Sequence, residues 1–229
     1  MKILVFTDVH GNYNALSKLA STSDFKSADR IVFLGDVIIG MIRPNECTQL
    51  LSDLNIECLL GNNDSYVVNK IPENDPEITP KKHARLLYMK NLVTDENKNI
   101  IKNWKKDLTL LFGDKKFYFT HYPWESDENV VQSPKENNEK TRSELFKNID
   151  ADYYIFGHEH TSSHITYNEK HYYCLGSLGL KYPAPYLIIT NEDNSINLEE
   201  KYISPNINEE IDLMDKAGYD YNKNKIKRV

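Results

Sequence analysis

Cysteine is scarce in this chain, and long apolar runs are missing. The 229 residues hold three cysteines, Cys47, Cys58 and Cys174, odd in number and without C-x-x-C spacing. That argues against a disulfide framework and against a thiolate zinc site; the three read as small buried hydrophobes in a reducing compartment. No apolar stretch approaches the roughly 18–20 residues that span a bilayer, so no membrane partner is expected. The N-terminus runs straight into a strand pattern, with neither an h-region nor a cleavage site, and a cytoplasmic location is the expectation. An excess of basic residues is also lacking: 28 Lys and Arg stand against 34 Asp and Glu, a net charge of −6. General nucleic-acid binding needs a basic surface and is therefore not expected. A small phosphorylated substrate is compatible with this balance. The basic cluster NKNKIKRV, residues 222–229, reads as a solvated tail. There is no internal repeat of fixed period and no low-complexity domain.

What remains is ordinary globular material, 40% hydrophobic and 27% charged, long enough for one large domain. A chain of this size buries roughly 70–75% of its unfolded surface and needs no covalent staple. A strand pattern over 2–7 precedes a helical one with Ala15, Leu16, Leu19 and Ala20 on one face. Strand 31–34, helix 44–54 with Pro44 in its first turn, and strand 56–60 follow. This βαβαβ order argues for a parallel sheet with right-handed crossovers. Residues 75–106 read as helical, with Thr94 as an N-cap. A hairpin turning at Gly113–Asp114 comes next, and the rest is β-rich, with a second hairpin turning between Tyr167 and Lys170. Residues 125–143 read as a long loop, of the kind that serves function or moves. The expected organisation is one domain over 1–203 and a polar C-terminal extension, 204–229, helical around EEIDLMDKAG or partly disordered.

Five apolar runs each end on residues that bind hard or borderline metals. They are ILVFTDVH (Asp8, His10), RIVFLGD (Asp36), IECLLGNND (Asn62), KFYFTH (His121) and YYIFGHEH (His158, His160). Short runs of this composition, bounded by Gly or polar residues, read as buried strands. Donors at their exits converge if the strands lie in packed sheets. They are too many for one ion and suit two that share a bridging carboxylate. Their mixture of oxygen and imidazole suits Mn, Fe, Zn, Co or Ni better than Ca or Mg. Two divalent ions outweigh the charge of Asp8 and Asp36, so such a centre attracts an anionic ester and acidifies its bound water. A single D-x-H or G-D is ordinary turn sequence; five donor sites at strand ends in one chain are not.

The ordered series D-x-H, G-D, G-N-x-D, H and G-H-x-H resembles the calcineurin-like metallophosphoesterase superfamily. DVHGNYNAL, GDVIIGMIRPNEC, LLGNND, GHEHT and the late GSLG are similar to its compact bacterial and archaeal branch of small phosphodiesterase-like proteins. The similarity runs from Met1 to about residue 190. It implies an α/β fold of two packed mixed β-sheets, a β-sandwich flanked by helices in four layers, with the site at the strand ends. It also implies roles: Asp8, His10 and His160 on one metal, Asn62, His121 and His158 on the other, and Asp36 bridging both. A metal-bridging hydroxide would attack phosphorus in a small phosphodiester or nucleotide substrate. The two divalent ions are expected to be manganese first, with Fe, Zn, Ni or Co as alternatives. A dinucleoside polyphosphate hydrolase, a phosphomonoesterase or protein phosphatase, and a non-catalytic scaffold are the competing readings. The chain lacks the large extra domains expected of protein phosphatases, and a homodimer stays open.

One position departs from the family pattern. Many members carry His after the ligating Asn, where it is thought to assist the leaving group; here the motif reads Gly61–Asn62–Asn63–Asp64. Asn63 donates hydrogen bonds but is no acid near neutral pH. Asp64 is expected to orient a ligand or a neighbouring His. The alternative proton source is His83, His164 or His171, of which His83 in HARLLYM is the best placed. Asn12 reads as a helix cap, Arg43 as a solvated loop residue with a phosphate clamp as the alternative, and Glu159 as a solvent-facing spacer. Tyr66, Tyr122 and Trp124 are candidates to stack on a base or aryl ring, and Ser177 reads as part of a structural turn. Substrate choice is expected to lie in loops 63–75 and 122–143.

Overall fold

The run KILVF at Lys2–Phe6 is apolar on both faces, and in the computed structural model both faces are covered. Residues 1–72, 75, 78–127, 129–192, 195–219 and 227–228 are described. The first half of the chain runs β1 (Lys2–Phe6), α1 (Tyr13–Ala20), α2 (Ser23–Lys26), β2 (Arg30–Phe33), α3 (Pro44–Asp53), β3 (Glu57–Cys58), α4 (Asn62–Val68), α5 (Pro80–Leu92) and α6 (Asp95–Lys102). The second half opens with β4 (Asp107–Phe112), β5 (Lys115–Thr120), α7 (Glu139–Leu145), β6 (Tyr153–Phe156), β7 (Ser163–Tyr167) and β8 (Lys170–Cys174). It closes with β9 (Lys181–Tyr182), β10 (Ala184–Glu192), β11 (Ser195–Ile203), α8 (Asn208–Lys216) and β12 (Lys227–Arg228).

Two mixed five-stranded sheets result, in the orders β11-β10-β1-β2-β3 and β4-β5-β6-β8-β7. Strands β1, β2 and β3 are parallel, as are β5, β6 and β8, and antiparallel strands flank each set. The period of two along each strand divides the core. Ile3, Val5 and Val32 meet Phe117, Phe119 and Ile155 between the sheets. The alternate residues Leu4, Phe6 and Phe33 pack outward with Leu16, Leu19 and Leu51 of the helices. On the far side Tyr118, Tyr154 and Phe156 pack with Phe146 beside α7. The layers are therefore helix, sheet, sheet, helix. Among the described residues no helix is long and apolar enough to cross a membrane.

Local signals behave as their chemistry predicts. The Asn12 side chain accepts from Ala15 N at 2.9 Å and starts α1, and Thr94 starts α6. Pro44 occupies the first turn of α3. Two expected loops are partly helical instead. The segment after Asn62 forms α4 because Asp64 closes a capping interaction with Gly61 N, and Asn138 with Thr141 starts α7 inside the polar stretch 125–143. Helix α8 joins the main core through Met214, while Glu210, also on α8, is fully buried. Apart from residues 227–228, the basic C-terminal cluster lies outside the described residues.

Candidate active site

The seven predicted donors leave the carboxyl ends of parallel strands. Asp8 and His10 follow β1, Asp36 follows β2, Asn62 follows β3, His121 follows β5, and His158 and His160 follow β6. Open α/β sheets place ligand sites there because successive loops splay from one edge. Five of the seven adopt left-handed backbone: Asp8 (φ 55°), His10 (50°), Asp36 (64°), His158 (72°) and His160 (56°). Non-glycine residues rarely sit there, and such strain clusters at functional sites. Ile39 (φ 64°), a β-branched residue, shares that strain in the loop whose Ile38 carbonyl lies 3.1 Å from His10 Nδ1.

Two glycines let the loops close. A Cβ at Gly157 would stand 2.2 Å from Thr7 Oγ1 and 2.7 Å from Asp8 Oδ2. A Cβ at Gly61 would stand 2.2 Å from Asp36 Oδ1 and 2.3 Å from its backbone nitrogen.

The donors meet in two groups. His10 Nε2 and His160 Nε2 lie 2.9 Å apart, and Asp8 Oδ1 is 3.3 Å from the first and 3.1 Å from the second. Asn62 Oδ1 is 3.1 Å from both His121 Nε2 and His158 Nδ1, and Asp36 Oδ2 is 3.5 Å from His121 Nε2. Ligand atoms of Asp8, His10 and His160 lie within 4.8 Å of one another, and so do those of Asp8, Asp36 and His121. Asp8 Oδ2 accepts from Thr7 Oγ1 and His158 N, whereas its buried Oδ1 has no hydrogen-bond partner. Buried His121 Nδ1 is likewise unpartnered. An acceptor carboxylate oxygen and imidazole nitrogens crowded at these distances fit a cation between them. The Ile38 carbonyl at His10 Nδ1 favours a proton on that nitrogen and leaves Nε2 as the donor.

Electrostatics separate the donors by charge. Burial opposes ionisation of Asp8, yet His160, His10 and His121 together hold its carboxyl well below the usual range. Burial also works against a charged His10, but Asp8 and Asp36 push it up to about 9. His158 is driven down to about 3, first by burial and then by the neighbouring His121. The pocket therefore keeps carboxylate at Asp8 and a neutral imidazole at His158, while the paired carboxylates hold a proton on His10 that a bound cation would displace.

Residues 1–194 match the model of the calcineurin-like phosphoesterase superfamily domain. The chain belongs to that superfamily. An uncharacterized protein of Methanocaldococcus jannaschii is 28% identical over 119 residues, which are 52% of this chain and 48% of that relative. The match thus spans about half the length of that protein. A crystal structure of a metallophosphoesterase from Sphaerobacter thermophilus superposes with TM-score 0.75 at 20% identity, over 99% of this chain and 98% of that one. A hypothetical protein from Pyrococcus horikoshii gives TM-score 0.82 at 14% identity, over 98% and 96%. These two likenesses show the shared fold.

Superfamily membership implies divalent metal ions, and the convergent donors above are the residues that fit them. The position where many members carry His is put to another use here. Asn63 donates its backbone N–H to Asp36 Oδ1 at 3.0 Å and its side-chain amide to Asp36 Oδ2. Asp64 accepts from four backbone N–H groups, those of Asp36, Val37, Ile38 and Gly61, at 2.8 to 3.1 Å. It staples the loop after β2 to the start of α4. Ser177 accepts from Leu180 N and donates to Asp8 O, which makes it part of the turn under the site.

Other expectations change. Glu159 is not a solvent-facing spacer: Arg142 and Tyr122 grip its carboxylate. No signal in the sequence pointed to Arg142. Arg43 is neither solvated nor free for phosphate, because buried Glu210 binds its guanidinium over the Tyr13 ring. Tyr66 donates to Asp75, and Tyr122 packs against His158 with ring centroids 4.5 Å apart, so both are spent on internal contacts. Trp124 is half-buried under Lys106. His83 is exposed on α5, while His164 and His171 face each other across β7 and β8 at 3.3 Å. Among the described residues none of these three hydrogen-bonds to a member of the donor set.

Proposed function

We propose that the protein is a dinuclear metal-dependent phosphodiesterase of small phosphorylated substrates. The gathering of seven donors from five loops into two adjoining groups, one of them around the unpartnered Asp8 Oδ1, carries this reading. In the proposed assignment Asp8, His10 and His160 hold one divalent ion, and Asn62, His121 and His158 hold the other. Asp36 is the bridge: its ligand oxygen lies within 4.8 Å of those of Asp8 on the first side and His121 on the second. The mixed oxygen and imidazole set favours manganese, with Fe, Zn, Co or Ni as alternatives. Two such ions, when bound, supply Lewis acidity toward a phosphoryl group and a water acidic enough to attack near neutral pH.

The chain's own residues supply position and charge. Asp64 fixes the backbone that carries Asp36, and Asn63 holds the carboxylate itself from two sides. Position 63 carries an amide, which is no acid near neutral pH, so the preferred substrates are those whose leaving groups depart without a proton, such as aryl diesters and phosphoanhydrides. Structural neighbours named an archaeal phosphodiesterase and a putative diadenosine tetraphosphatase put diesters and dinucleoside polyphosphates first in the substrate panel.

The test is hydrolysis of phosphate mono-, di- and anhydride substrates by protein purified without chelator and loaded with Mn, Co, Ni or Zn. Asp36→Asn is expected to lower the rate about 100-fold or more. Full retention of activity in that variant refutes the assignment. Stoichiometric metal without hydrolysis of any substrate favours a scaffold.

A further inference from the structure

On the far side of the His158–His160 loop lies a polar cluster that the proposed chemistry does not use. Arg142, on α7, is 1% exposed. Its Nη1 and Nη2 donate to the two oxygens of Glu159 at 2.5 Å each, and its Nε donates to Asn137 Oδ1 at 2.8 Å. Tyr122 Oη donates to Glu159 Oε1 at 2.9 Å. The guanidinium also lies over Phe156, 5.2 Å from the ring centroid. A buried arginine is rare unless paired, and this one meets a planar carboxylate with a two-point fork that sets orientation as well as charge.

Glu159 stands between two histidines that serve different ions in the proposed assignment. Both neighbours hold strained left-handed backbone. A short loop with two such residues relaxes unless its surroundings over-determine it. The Glu159 side chain between them is the handle, so holding its carboxylate holds the loop that carries both imidazoles. Tyr122 links this handle to the other ion's loop, since it directly follows His121 and its ring packs on His158. Helix α7, which starts at the Asn138–Thr141 capping box, brings Arg142 to the handle.

We propose that Arg142 is a positioning residue for the metal centre: by pinning Glu159, it sets where His158 and His160 present their nitrogens. This rests on the dinuclear reading above. The segment 125–143, expected to be a long functional or mobile loop, contains the residue that braces the His158–His160 loop.

The experiment titrates Mn(II) into the wild-type protein, Arg142→Met and Arg142→Lys, at a temperature where circular dichroism shows each folded. Metal stoichiometry, affinity and the electron paramagnetic resonance spectrum are the readouts. Arg142→Met is expected to lose about 10–100-fold in affinity for at least one ion, the scale typical of groups that orient metal ligands. The exchange-coupled spectrum of paired manganese should give way to that of isolated ions. Arg142→Lys, which keeps the charge but not the fork, should fall between. A merely structural role lowers the melting temperature yet leaves both ions at wild-type affinity below it, and that result overturns the inference. Should Arg142→Met fail to fold, Arg142→Lys decides: a loss of about tenfold or more supports pinning, and wild-type affinity overturns it. Wild-type protein that binds neither manganese nor, in the same titration, iron, zinc, cobalt or nickel overturns the dinuclear reading and this inference with it; unaffected variants of a two-ion wild type overturn the inference alone.

Discussion

Replacing Gly61 by alanine adds one methyl at a crowded point of the site. The backbone there (φ −84°, ψ 162°) is ordinary extended geometry, so alanine meets no conformational penalty. Taken alone, the substitution would stabilise by about 0.4–1 kcal/mol through the unfolded chain. The new carbon, however, lands 2.3 Å from Asp36 N and 2.9 Å from Asp36 Cα, and backbone cannot swing aside as a flexible side chain can. Overpacking of this kind costs about 1–3 kcal/mol. The net expectation is a loss of about 1 kcal/mol, and for a chain of this length a melting temperature lower by roughly 2–4 °C. Because the loop must move with Asp36, manganese affinity should fall about tenfold or more. Thermal unfolding by circular dichroism and a manganese titration below the transition measure the two effects. A melting temperature that stays level or rises would show the contact is not made, and would refute the close approach between the second and third strand loops.

Two further outcomes follow from particular contacts. Asn63→His puts an ionisable group where the family pattern implies a proton donor, so on the proposed reading hydrolysis of alkyl diesters should rise relative to aryl diesters; an unchanged dependence of rate on leaving-group acidity across a diester series would contradict that role for position 63. Asp24 is held down at about 2, first by Lys2 and then, against some burial, by Tyr186 and Lys201. Its folded pKa lies below its unfolded one, so the stability it contributes is present above about pH 4 and disappears as pH falls toward 2. The melting-temperature gap between wild type and Asp24→Asn should therefore be widest near pH 5 and close on acidification; a gap that widens below pH 4 would overturn the linkage.

The donors were legible because each follows a short apolar run, and a continuous apolar run that ends on Asp, Asn or His announces both the buried strand and its cargo. The parallel β1-β2-β3 core was legible for the same reason. Strand partners late in the chain were not. YLIIT and INLEEKYI carry β patterning, but nothing local says that β10 returns to pair antiparallel with β1 in the first sheet. Arg142 and Glu210 were missed because each acts through one partner distant in sequence, Glu159 and Arg43, and an isolated charge in a polar segment has no periodicity to mark it as buried. Asn63 was noticed for what it lacks; its grip on Asp36 depends on the turn of α4, which the run of polar residues concealed.

Left-handed backbone at five of the seven donors constrains how the centre can be altered at all. A substitution there is judged twice, once by the ion and once by the main chain. Asparagine tolerates that handedness and keeps a polar tip, so Asp8, His10, Asp36, His158 and His160 can each be exchanged for it with little cost to the turn. Valine or isoleucine at the same places would remove the donor and buckle the loop together. Any drift of this site away from catalysis is thereby channelled: the donors can fade into neutral amides or glycine and leave the turns standing, but they cannot be converted piecemeal into an apolar core.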